Sequence, residues 1–71
     1  MITEADITNW FTYHSPSVDD QENYVAIRDK ARELALVILN RTPPSVDQSA
    51  SIRLLREAVM TANASIACNG R

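Results

Sequence analysis

The residue types that most often carry out catalysis are few in this chain, and their spacing does not support a reaction. His14 and Cys68 are the only histidine and the only cysteine, which is too few soft ligands for a zinc site, and a lone cysteine is more typical of a partly buried apolar residue than of a nucleophile. Asp19 and Asp20 are adjacent, but they follow Ser17 at a predicted helix start, where acids act as caps. We therefore predict no catalytic residue, no metal site and no cofactor.

Residues suited to ligand binding are better represented, because three of the four aromatic residues and the histidine lie in one short segment. This segment is Trp10-Phe11-Thr12-Tyr13-His14, at the end of a predicted short helix and in the connection after it. Exposed rings of this kind stack on nucleobases, at about 1 to 3 kcal/mol per base. The alternative is that the rings dock the segment onto the rest of the protein. We favour docking for Trp10 and leave both interpretations open for Phe11 and Tyr13.

The basic residues are the second group that could bind a ligand, and they are unevenly distributed. All seven lysine and arginine residues lie from position 28 onward, whereas five of the nine acids precede it. Arg28 and Arg32 are four residues apart on one helical face, where their charges repel unless an anion or an acid lies between them. Lys30 lies between them in the sequence. A phosphate site and a solvated helix face explain this cluster of basic residues equally well.

Two further arginines offer planar forks that suit phosphate oxygens. Arg53 and Glu57 are predicted to form an i,i+4 ion pair, which leaves Arg56 and Arg71 without an obvious partner. One such arginine from each subunit, repeated around a symmetry axis, would make a strong anion site from a chain of net charge −2. The same net charge argues against non-specific DNA binding, which requires a dense basic surface.

The elements that must position these residues are marked by prolines and by hydroxyl residues that can cap helices. Pro43 and Pro44 end one long helix, and the short turn around them forces an antiparallel hairpin. Ser45 and Gln48 have the spacing of a capping box at the start of the next helix. We predict an all-α fold in a single domain, residues 1–71, with a short N-terminal helix and two long ones at about residues 3–10, 18–41 and 46–68.

The two long helices carry more apolar surface than a hairpin can bury. Each has a stripe of residues at alternating spacings of three and four: Tyr24, Ile27, Ala31, Leu34 and Ile38 on the first, and Ile52, Leu55, Val59, Ala62 and Ile66 on the second. Apolar residues around Leu36 extend almost all the way around the first helix. Because 71 residues without a disulfide form a marginal fold, we expect further copies to cover this surface in a closed homo-oligomer.

The location of the protein is indicated by its first residues and by its hydropathy. Acids lie within residues 1–6, where a secretory signal would carry bases, and no apolar run approaches the roughly 20 residues that span a bilayer. We expect a soluble cytoplasmic protein without a membrane partner.

Four stretches of the chain together resemble one known family. They are Phe11-Thr12-Tyr13-His14-x-Pro16, Asp20-Gln21-x-x-Tyr24-x-x-Ile27-Arg28, Pro43-Pro44-Ser45, and the helical run from Ser51 to Ala67. Each stretch is short, but the combination resembles the small phage anti-CBASS proteins that act as cyclic-nucleotide sponges. The similarity covers almost everything from Phe11 to Ala67.

The resemblance implies a three-helix protomer, dimers assembled into a hexamer, and sequestration of bacterial immune messengers in the cytoplasm of the host. Cyclic dinucleotides such as cyclic GMP-AMP would lie between protomers, and cyclic trinucleotides would occupy separate pockets on the threefold axis. No bond would be cut. The defence effector would be deprived of its signal because the messenger is held.

The resemblance also implies roles for individual residues. An aromatic residue, Tyr13 or Phe11, would stack on the base. A basic residue of the first long helix, Arg28 or Lys30, would meet the phosphates, and Arg71 is the nearest match to an arginine of the trinucleotide pocket. The candidate ligand-binding residues are therefore Phe11, Tyr13, His14, Arg28, Lys30, Arg56 and Arg71.

A helical interaction module is the alternative function. In that case the extra apolar face would receive a host or phage protein, and the basic residues would keep the surface soluble. The purified protein would then be a monomer or dimer with an exposed apolar face.

Overall fold

The computed structural model describes residues 1–70, and three helices account for most of them. Helix α1 is Glu4–Trp10, α2 is Val18–Arg41 and α3 is Val46–Ala67, and α2 packs along α3 as a hairpin. The predicted all-α class, with a short N-terminal helix and two long helices, is confirmed. None of the helices within residues 1–70 has the length and apolar character needed to cross a bilayer.

Helices α1 and α2 begin with complete capping boxes. The side chain of Thr3 accepts from the backbone N–H of Asp6, whose carboxylate accepts in return from the backbone N–H of Thr3. Ser17 and Asp20 make the same reciprocal pair. Each pair satisfies backbone groups that a helix start leaves without partners, and it places an acid at the positive end of the helix.

The capping box predicted at the start of α3 is only half formed. Ser45 Oγ accepts from the backbone N–H of Gln48, as expected. The Gln48 side chain does not return to Ser45 but donates through Nε2 to the carbonyls of Leu39, at 3.1 Å, and Thr42, at 3.0 Å. The amide has donors to offer, and the end of α2 presents carbonyls that lack partners within the helix. Gln48 therefore joins the two long helices at their turn.

Replacing Gln48 with alanine should lower stability, because two carbonyls lose their donor. Both hydrogen bonds are exposed, so we take about 0.5 kcal/mol for each, and a total loss of about 1 kcal/mol should lower the melting temperature by about 4 to 8 °C. Thermal unfolding followed by circular dichroism measures this. Gln21→Ala is the matched control. Gln21 is the fourth residue of α2, whereas Gln48 is the third residue of α3, and Gln21 is exposed. Equal losses in both variants would show that the bridge contributes nothing.

The α2–α3 contact contains half-buried rather than buried side chains. Among the described residues only Cys68, at 7% exposure, is buried. Most of the predicted stripe residues are half-buried, but Leu34 is 48% exposed and Ala35 lies nearer the contact in its place. Leu34 instead lies at the edge of the contact, where it lines a groove together with Lys30 and Ala62.

The isolated chain is more open than a globular protein of its size. It exposes 5983 Å², whereas a compact monomer of this mass exposes about 4400 Å². Its radius of gyration is 15.2 Å, against about 11 Å for a compact domain of 71 residues. One copy therefore leaves a large part of its apolar surface uncovered.

Candidate functional site

Three arginines rim a groove of about 280 Å³ between the two long helices. Arg28 and Arg32 project from successive turns of α2, and Arg56 comes from α3 across the groove. The rest of the lining is apolar: Ala31, Ala35, Ile52, Leu55, Val59 and Met60. We call this feature the arginine groove. A cationic rim over an apolar floor suits an anion that also has a flat apolar surface.

The three rim arginines have no acidic partner among the described residues. The ion pair found in this part of the chain joins Lys30 Nζ and Glu33 Oε2 at 3.4 Å, and both side chains are exposed. The predicted ion pair between Arg53 and Glu57 is wrong. Both residues line a depression together with Arg56 and Met60, but they do not reach ion-pair distance within residues 1–70. The positive charge of the groove is therefore not neutralised within the described protomer.

Lys30 lies on the other side of the hairpin from Arg28. It lines a second groove, of about 510 Å³, whose other residues are apolar: Ala26, Ile27, Ala31, Leu34, Leu55, Ala58, Val59 and Ala62. Two positions along a helix correspond to about 200° of rotation, which carries the side chains to opposite edges of the α2–α3 contact. The structure thus separates the two alternatives for the phosphate-binding residue.

The aromatic segment is attached to the C-terminal part of α3. Trp10 lies in a cleft with Thr61, Ala64, Ser65, Cys68 and Gly70. Phe11 and Tyr13, in contrast, are 84% and 83% exposed. The docking predicted for Trp10 therefore applies to that residue and not to the two rings that follow it.

His14 lies in the same connection and is half-buried. Its Nε2 donates to the carbonyl of Asn9 at 2.7 Å, and the Asn9 side chain donates in turn to the carbonyl of Cys68 at 3.4 Å. The imidazole is therefore engaged within its own chain. No three histidine, cysteine or acidic side chains in residues 1–70 lie together as a metal site requires.

The candidate residues fall into separate groups. Arg28 and Arg56 share the arginine groove, together with Arg32, whose spacing from Arg28 was the signal in the sequence. No residue of the aromatic segment lines that groove within one protomer. A site that combines rings and arginines therefore requires more than one copy. The predicted role of Arg71 lies outside the described residues.

Comparison with known proteins supports the family resemblance on independent grounds. A family model described as the Acb2/Tad1 hairpin domain matches residues 3–67, which is nearly the whole chain. No curated protein and no solved structure matches the chain. The family consists of phage proteins that bind cyclic-nucleotide signals in the host cell and perform no catalysis on them. This chain belongs to the Acb2/Tad1 hairpin family of anti-CBASS and anti-Thoeris cyclic-nucleotide sponges.

Proposed function

We propose that this protein sequesters cyclic dinucleotides such as cyclic GMP-AMP in the host bacterial cytoplasm, and so blocks CBASS immunity. Cyclic trinucleotides are the second ligand class. The observation that carries the proposal is the arginine groove, where three unneutralised cations surround an apolar floor in a chain of net charge −2. The groove contains no acid and no nucleophile, so it can hold a phosphodiester without cutting it.

Of the two candidates that the sequence left open, Arg28 and Lys30, we assign phosphate binding to Arg28. Lys30 already has Glu33 within 3.4 Å, whereas Arg28 has no acidic partner in the described protomer. Arg28 also shares its groove with Arg32 and Arg56, so several guanidinium groups can meet the two phosphates of a cyclic dinucleotide. Charge-assisted, bidentate hydrogen bonds of this kind are stronger than those to neutral groups.

Tyr13 supplies the stacking ring, with Phe11 as the neighbouring alternative. Both rings face solvent in one protomer, so they are available to a ligand held by another copy. His14 supports this segment through its hydrogen bond to Asn9 rather than by touching the ligand. Arg71 is assigned to the trinucleotide pocket on the family resemblance alone.

A homohexamer completes the site in this proposal. The isolated chain exposes about 1600 Å² more than a compact monomer of its mass, which equals the surface that a standard interface buries in total. Exposed apolar side chains occur on both long helices, with Leu36, Val37 and Leu39 on α2 and Leu54 and Met60 on α3. Several contacts per copy are therefore possible, as a closed assembly of six requires.

Calorimetry with cyclic GMP-AMP tests the ligand directly. We expect binding at or below micromolar concentration, with intact ligand recovered after the protein is denatured. Recovery of linear products would contradict sequestration. An absence of binding by cyclic dinucleotides and trinucleotides alike at micromolar concentration would refute the proposed function.

A further inference from the structure

Two hydrogen bonds fasten the aromatic segment on both sides of its exposed rings. On one side the Asn9 side chain donates from Nδ2 to the carbonyl of Cys68, the C-cap residue of α3. On the other side His14 Nε2 donates to the carbonyl of Asn9, close to the end of α1. Both accepting carbonyls lie at helix C-termini, where backbone oxygens lack partners within the helix. Asn9 thus takes part in both bonds.

We propose that Asn9 and His14 are positioning residues, which hold Phe11 and Tyr13 ready for the ligand without touching it themselves. We call the pair of hydrogen bonds the arm clamp. This inference rests on the proposed function, because it concerns the same stacking rings. It assigns a positioning role to Asn9, which sequence patterns did not single out.

The distribution of burial along the segment supports this assignment. Asn9 and His14 are half-buried and hydrogen-bonded, whereas the two rings between them are more than 80% exposed. A segment that served only to cover α3 would turn its rings inward and its polar groups outward. Here the polar groups fix the backbone and the apolar rings face solvent, as expected for side chains presented to a partner.

A second anchor reduces the freedom of the segment further. Trp10 lies in the cleft at the C-terminal part of α3, so the chain is held at Asn9, Trp10 and His14, within six residues. Rings that are already placed lose less conformational entropy when a ligand orders them, and this raises affinity without any added contact. Releasing the arm clamp should therefore weaken binding even though the stacking rings remain.

Asn9→Asp and His14→Leu test the clamp in the full-length protein. The aspartate has nearly the same shape as asparagine but no donor, and the leucine removes the imidazole donor. We expect each variant to bind cyclic GMP-AMP about tenfold more weakly, by calorimetry. Chymotrypsin should also cleave after Phe11 and Tyr13 faster than in the original protein. Asn23→Asp, which changes the charge equally at an exposed site in the first part of α2, should behave like the original protein.

His14→Gln separates positioning from a general structural role, because glutamine keeps an N–H donor. It should restore affinity to within about threefold of the original protein and slow the cleavage again. Original affinity in Asn9→Asp, together with original cleavage rates, would overturn the arm clamp while leaving the sponge intact. If the original protein binds no cyclic nucleotide, the proposed function fails, and the cleavage rates still decide whether the clamp exists.

Discussion

Replacing Arg28 with glutamate should weaken the binding of cyclic GMP-AMP by at least about a hundredfold. A hydrogen bond to a charged group contributes about 1.5 to 3 kcal/mol, and the introduced carboxylate adds repulsion of the phosphates. Since 1.4 kcal/mol corresponds to a factor of ten, these effects together exceed two orders of magnitude. Calorimetry or competition against a labelled nucleotide measures the change.

The matched variants for this experiment are Lys30→Glu and Arg41→Glu, which alter the net charge by the same amount. Arg41 lies at the end of α2 and lines neither groove, so its replacement should leave affinity within about threefold, as screened surface charges do. Lys30→Glu should also have a small effect. If it abolishes binding while Arg28→Glu does not, the phosphate site lies in the second groove and the proposed assignment of Arg28 is wrong.

Helix ends were predictable from the sequence because they depend on neighbouring residues. The hydroxyl caps at Thr3 and Ser17 act within four positions, and Pro43 restricts the residue before it, so no distant contact is needed. Gln48 departs from the local rule because the hairpin brings carbonyls of α2 within reach of its side chain. That alternative arises only once the two helices are packed.

The candidate site was predictable only in part, because part of it depends on how the two long helices pack. The shared face of Arg28 and Arg32 follows from their spacing along one helix. That Arg56 lies across from them depends on the register between α2 and α3, which short stretches of sequence do not specify. Likewise, Lys30 and Arg28 looked equivalent until the packing of α3 placed them at different grooves. The proposed association between copies would add a further level, which neighbouring residues of one chain do not specify.

The proposed association leads to the second large expected effect, which is that of the double variant Leu36→Glu and Leu39→Glu. In the isolated chain these side chains are 44% and 52% exposed, so two glutamates would change the stability of a monomer only slightly. If other copies cover this face, the same change places charges in an apolar interface at a cost of several kcal/mol. The assembly should then dissociate, and cyclic dinucleotide binding should disappear with it.

Light scattering distinguishes these outcomes. The original protein should have about six times the 7.9 kDa mass of one chain, and its melting temperature should rise with protein concentration, because association stabilises the folded state by mass action. The double variant Val18→Glu and Val46→Glu is the matched control, since these residues are 72% and 86% exposed at the starts of α2 and α3. A well-folded monomer with a concentration-independent melting temperature would contradict assembly. The aromatic rings and the arginine groove could then not form a single site. A helical interaction module would account better for the exposed apolar face.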